Sequence, residues 1–203
     1  MNNDKETELL ESAGELFKRY GIKSMTMNDI AKELKISKKT LYKYVKDKND
    51  LVVKSMSIVL DKQECEFDEI SNTVEDPIEE LWQITRLAAK HLSAIHPSVI
   101  FDIMKFHPEA WEQFECHKDT HVYLSVIDNL ERGKKKGLFR KEINSKIIAK
   151  IFVARFDTLF NPDIFPSTEF NLVEVNNEMM LYHLHAILTL EGLKEIEKYN
   201  FTK

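Results

Sequence analysis

Cysteine is nearly absent: two in 203 residues, Cys65 and Cys116, far apart and in no CxxC pair. That excludes a disulfide framework and a zinc ribbon, and a reducing cytoplasm is the expected setting. Glycine and proline number five each, too few for low-complexity linkers or for a turn-rich β fold. No apolar run approaches the ~20 residues that span a bilayer, so no membrane association is expected. The opening MNNDKETELL is polar and mixed in charge, unlike a secretory leader. Also missing are GxSxG, HExxH, a P-loop and a Gly-rich dinucleotide fingerprint, so the chain is not expected to be an enzyme and no cofactor is expected.

Charge is distributed unevenly. The net value is −5, yet residues 1–54 sum to +3 and residues 55–203 to −8. Phosphate contacts are local and distant repulsion is screened within ~8–10 Å, so a basic head on an acidic body is compatible with nucleic-acid binding.

Apolar spacing is helical almost throughout. Leu9, Ala13, Leu16, Phe17 and Tyr20 define a first helix ending at Gly21. Thr26 opens a second, with Asp29 as the carboxylate of a capping box. Lys35 and Ile36 form a turn, Ser37 caps a third helix, and Asp47 and Asp50 cap a fourth that runs towards Ile70. Asp76-Pro77 starts another. Short and long helices follow near 98–106 and 109–132, the long one closed by Gly133 and Gly137. A further helix runs from Asn144 or Ser145 towards Asn161-Pro162, and a last one spans roughly 170–199. Residues 138–143 read best as a connector. The expectation is an all-α chain of about nine helices. Residues 1–50 would form a three-helix, homeodomain-like DNA-binding head, and residues 51–203 a helical body.

Residues 26–45, TMNDIAKELKISKKTLYKYV, have the layout of a helix-turn-helix. On its second helix Leu41, Tyr44 and Val45 face one way. Lys38, Lys39, Tyr42, Lys43 and Lys46 share the opposite face. Lysines attract phosphates regardless of sequence and can reach guanine O6 and N7; a tyrosine hydroxyl can donate to a phosphate. A basic row alone usually marks a solvated helix face. Here it comes with the preceding helix, and with the following capped helix, in register.

With LFKRYG, MTMNDIAKELKIS and KKTLYKYVKDKNDLV, the N-terminal quarter closely resembles the TetR family of bacterial regulators. PEAWEQFECHK, GLFRKEIN and HAILTLEGLKEIEKY are similar to C-terminal segments of Bacteroidetes-type members. The resemblance implies a sequence-specific transcriptional regulator, commonly a repressor released by a small-molecule effector. An activator, an effector-independent regulator and a protein-binding helix-turn-helix module are the alternatives. It implies phosphate contacts from Thr26, Tyr42 and Lys48, and a groove-facing set of Ser37, Lys38, Lys39, Thr40 and Lys43. Lys35 stands where the family usually has Gly, and a left-handed backbone there would cost a non-Gly residue roughly 1 kcal/mol or more. Val45 stands where an aromatic is usual. Helices near 144–160 and 170–199 would pair two copies into a homodimer reading a near-palindromic double-stranded operator.

The resemblance further implies an effector cavity among the middle helices, with Trp82, His91, Phe101, Met104, Trp111, Phe114, His117, His121, Phe152 and Phe156 as candidate lining. Most residues of such a set are ordinarily plain core. His117 and His121, at i and i+4, could ligate a metal, but Cys116 points about a hundred degrees away and no supporting motif surrounds them, so no metal is expected.

Overall fold

Thr26, Ser37, Asp76, Asn144, Asn171 and Thr189 each place a side-chain oxygen over the free N–H groups of a helix start, and these six caps punctuate the chain. The structure, a computed structural model, describes residues 2–199 and 201. Among them are eleven α-helices: α1 Asn2–Tyr20, α2 Met27–Glu33, α3 Lys38–Leu41, α4 Lys48–Thr73, α5 Pro77–Ser93, α6 Ser98–Phe106, α7 Pro108–His117, α8 Tyr123–Lys135, α9 Ser145–Leu159, α10 Leu172–Ile187 and α11 Leu190–Ile196. A π-helical turn, Lys118–Val122, joins α7 to α8. The described residues form no strand beyond an isolated bridge between Phe139 and Leu188. No helix among them is long and apolar enough to cross a membrane.

The chain divides into two compact units. One holds the segment through Glu64 together with Ala94–Cys116; the other holds Cys65–Ser93 and the segment from His117 onward. In the first, α1, α2, α3 and the start of α4 close over Phe17, Ile30, Leu41 and Leu51, and α6 adds Val99 and Ile103. Ser55 of α4 donates to the Leu10 carbonyl of α1 at 3.0 Å, which fixes those two helices where they cross.

In the second unit α8 packs on α9, and α5 on α8 and α10. Ile78, Leu130, Phe139, Phe152, Met180 and Leu184 form its centre. A buried polar staple joins α5 to α8. Glu80 accepts from Asn129 Nδ2 at 2.7 Å and pairs with Arg132, which also holds Asp128. Asn129 reaches the Pro77 carbonyl as well, so the buried carboxylate is well satisfied.

Four features depart from the sequence-based expectations. The third helix is α-helical only over Lys38–Leu41; the N–H groups of Lys43 and Tyr44 then bond three residues back, in tighter turns. The long helix near 109–132 contains the π turn, which lets Lys118 point inward and pair with Asp157 at 2.6 Å. Gly133 lies within α8 and does not end it. A Cβ there would sit 2.0 Å from a carbon of the Phe139 ring, so this glycine makes room for a fully buried aromatic. Gly137, at φ +75°, is the one that turns the chain.

The last helix is broken. Leu188 is extended, Arg140 N–H donates to Ile187 O, and Thr189 N–H donates to Leu138 O, both at 2.9 Å. Thr189 then caps α11 by accepting from Gly192 N–H. Hydrogen bonds to the 138–140 connector replace those a continuous helix would make. Apolar periodicity does not reveal the break, because Leu184, Ile187 and Leu188 before it and Ile196 after it are buried.

Candidate nucleic-acid interface

The turn between α2 and α3 is built from the backbone outward. Ile36 N–H donates to Ala31 O and Lys35 N–H to Lys32 O, both at 3.0 Å, the paired bonds of a Schellman motif. That motif needs a left-handed residue, and Lys35 supplies it at φ 55°. A lysine therefore carries the strain that a glycine would avoid.

The caps set the direction of both helices. Thr26 Oγ1 accepts from Asp29 N–H at 3.2 Å and donates to the Asp29 carboxylate at 2.6 Å, while Thr26 N–H donates back at 3.0 Å. The Thr26 hydroxyl and N–H hold the Asp29 carboxyl below its usual range. Ser37 Oγ accepts from Thr40 N–H at 3.0 Å and lies 2.8 Å from the Thr40 hydroxyl. Thr26, Ser37 and Thr40 thus spend their hydroxyls on the protein.

The cationic face is open. Lys38, Lys39, Lys43, Lys46 and Tyr42 are exposed, whereas Leu41 and Val45 are buried and Tyr44 half-buried. Leu41 and Val45 pack into the first unit's core, so the face cannot roll inward. Lys54 of α4 donates to the Tyr44 carbonyl at 2.7 Å and to Glu6 of α1 at 3.1 Å, tying down the end of this segment.

Asp47 starts α4 by accepting from Asp50 N–H at 2.9 Å, while Asp50 accepts from Lys46 N–H at 2.8 Å. Lys48 is the first residue of α4 and half-buried. Burial lowers its pKa, and the neighbouring Asp102 carboxylate partly offsets this. Beside it His107 Nδ1 lies 2.7 Å from Asn49 Oδ1; burial, then the charge of Lys48, lower the His107 pKa. Asp102 accepts from Lys23 N–H at 3.0 Å. Nothing in the sequence pattern marks Asp102 and His107 as neighbours of Lys48, because they arrive from α6 and the α6–α7 junction.

The ten candidate lining residues fall into both units. In the first, Phe101 and Met104 are exposed on α6, and Trp111 packs on the core beside Phe114 at 5.0 Å. In the second, the ring of Trp82 meets that of Tyr199 at a tilt, 5.5 Å apart, and His91 pairs with Glu66 at 2.9 Å. The ring of His117 stacks on that of His121 at 5.2 Å, and His121 pairs with Asp68 at 3.2 Å. Phe152 meets Phe156 edge-on at 6.4 Å. Sequence reasoning passed over Arg155, between those two phenylalanines, and His183, 4.9 Å from Phe152. The available signal was a charged residue on an otherwise apolar helical stripe, Phe152-Arg155-Leu159.

Residues 9–54 match the family described as Bacterial regulatory proteins, tetR family. The chain is 22% identical over 170 residues to an uncharacterized HTH-type transcriptional regulator, YvaF, of Bacillus subtilis (strain 168), covering 82% of this chain and 87% of that one. A transcriptional regulator from Saccharomonospora viridis, solved in complex with choline, has the same fold. Its TM-score is 0.72 at 18% identity, over 92% of this chain and 99% of that one. A transcriptional regulator from Cytophaga hutchinsonii ATCC 33406 superposes at TM-score 0.69 with 24% identity, over 89% and 97%. A capped helix-turn-helix with an outward lysine row agrees with the family match, and residues 9–54 are a DNA-binding segment of the kind found in the tetR family of bacterial regulatory proteins, carried on an all-helical fold shared with solved transcriptional regulators.

Proposed function

We propose that the chain is a cytoplasmic, non-enzymatic repressor, active as a homodimer, whose operator binding is released by a small-molecule effector in its helical body. The observation that carries the DNA-binding part is the exposed row of Lys38, Lys39, Tyr42 and Lys43 above a buried Leu41 and Val45. Residues 1–50 would act as the reading head and 51–203 as the pairing and sensing body. Lys38, Lys39 and Lys43 would reach base edges and Tyr42 a phosphate. Thr26, Ser37 and Thr40, committed to caps, would act mainly by aiming the helices. Lys48 would meet a phosphate with a charge shared with Asp102.

Support for pairing comes from apolar side chains left open to solvent on single helices. Ile151 on α9 is 61% exposed, Tyr182 on α10 and Leu190 on α11 81% each. An apolar surface of this kind suits a second copy. Two heads one helical turn apart, ~34–36 Å, would read a near-palindrome. The Saccharomonospora viridis relative was solved with choline, which supports a small-molecule effector here.

The test is fluorescence anisotropy with random DNA and with the DNA upstream of the protein's own gene, across a salt series. Steep salt dependence with preference for the upstream fragment is the expected result, with a slope near −0.9 per phosphate neutralised. Replacing Lys38 by Ala should relax base preference, and replacing Lys48 should weaken all sequences alike. Flat salt dependence would point to a protein partner for the lysine row.

A further inference from the structure

Arg155 is half-buried on α9, with the buried Phe152 three residues before it and the buried Leu159 four after. Its guanidinium sits 4.1 Å from the Phe152 ring centroid and 4.9 Å from that of Phe156. Nε and Nη1 are closed off from solvent and have no hydrogen-bond acceptor among the described residues. Burial lowers the Arg155 pKa to about 10, which leaves it charged at neutral pH. On α10, burial and then the Arg155 charge hold His183 down to about 4, so that ring is neutral. Asn176 lies two turns before His183 on the same face of α10. It is buried, and its Nδ2 has no partner. Arg155 thus brings a full charge with two enclosed N–H groups that no described residue accepts, and Asn176 a further unused donor on the neighbouring helix.

Guanidinium N–H groups closed off from water are unfavourable unless an acceptor, best an anion, completes them. The charge count selects the anion. One cation beside a neutral imidazole is balanced by a single negative charge, and a phosphate dianion would leave a net buried charge. A carboxylate presents two oxygens to the planar fork of an arginine. Beyond it the rings of Phe156 and Phe160, stacked at 6.2 Å, continue an apolar wall along α9.

We propose that Arg155 anchors an organic monocarboxylate with an apolar body, held between α9 and α10, with His183 and Asn176 as neutral polar contacts. This deepens the effector reading above, on which it rests, by naming the ligand's chemistry.

The experiment uses the full chain and the variant Arg155→Gln. Thermal unfolding and calorimetric titration are run with octanoate and 3-phenylpropanoate, and with their neutral counterparts 1-octanol and 3-phenylpropanamide. The expected result is that both carboxylates raise Tm by several degrees and bind at least tenfold more tightly than the neutral compounds. R155Q should lose that tenfold preference. R155Q should also unfold at a higher temperature than wild type without any probe, because an amide replaces an uncompensated charge; this readout does not depend on the probes chosen. Equal response to acids and neutral compounds overturns the anion anchor while leaving an effector-responsive regulator intact. No response to the carboxylates, with R155Q less stable and shifted to monomer, overturns it too and assigns the charge to an acid of a second copy. Carboxylate binding that leaves operator affinity unchanged would keep the site and refute its effector role.

Discussion

Lys35 and His183 are each held in a state that an isolated residue would avoid. Lys35 occupies the left-handed region to close the α2–α3 turn. Lys35→Gly should therefore stabilise the protein by about 1 kcal/mol, raising Tm by roughly 2–4 °C in thermal unfolding. The geometry of the turn is unchanged, so operator affinity should move little unless the Lys35 charge itself touches DNA. His183 is neutral in the folded chain, with its pKa lowered to about 4, whereas an unfolded imidazole titrates near 6.5. As pH falls, the unfolded state takes up the proton first. Stability from this residue is complete above pH 6.5 and is lost between 6.5 and 4, by roughly 3 kcal/mol. His107, lowered for the same first reason, acts in the same direction. Urea unfolding at pH 7 and pH 5 should show a smaller loss for His183→Gln than for wild type. An equal loss in both would mean that His183 is not the group responsible.

At the scale of elements, α8 depends on a glycine for packing. Phe139 fills the space that a side chain at 133 would take. Gly133→Ala should cost about 3 kcal/mol by overpacking, although alanine is the better helix former; chemical denaturation would measure it. The same position shows what a sequence can and cannot disclose. Thr26 with Asp29, Ser37, Asp47 with Asp50, Asp76-Pro77 and Asn144 were readable as helix starts because capping is chemistry between residues two to four apart. The left-handed Lys35 was readable because it stands where the family that the sequence resembles usually has glycine. Gly133 reads as a stop until Phe139 is placed against it. The break at Leu188–Thr189 depends on a connector about fifty residues upstream, and the π turn accompanies the pairing of Lys118 with Asp157, 39 residues further along the chain. At the DNA-facing surface the lysines were legible from helical phase. The burial of Lys48 beside Asp102 was not, since Asp102 belongs to an element 54 residues away.

For the whole molecule, the proposed pairing of two copies would rest on the exposed apolar side chains of α9, α10 and α11. Ile151→Glu places a charge on a 61% exposed position and leaves the chain's own core untouched. The variant should elute as a monomer in size-exclusion chromatography with light scattering and lose at least tenfold in operator affinity, while single-chain helicity by circular dichroism stays constant. The two rungs that tie Arg140 to Ile187 and Thr189 to Leu138 have a consequence for how the second unit is reached in time. They close a circuit of about fifty residues around the α9–α10 hairpin. Ring closure of that size is entropically costly and grows only slowly with length, so these contacts belong late in folding, after the hairpin has shortened the effective path. The amide protons of Arg140 and Thr189 should accordingly exchange only through opening of the whole unit, at the slow limit of its helices, and would serve as a clock for its global unfolding.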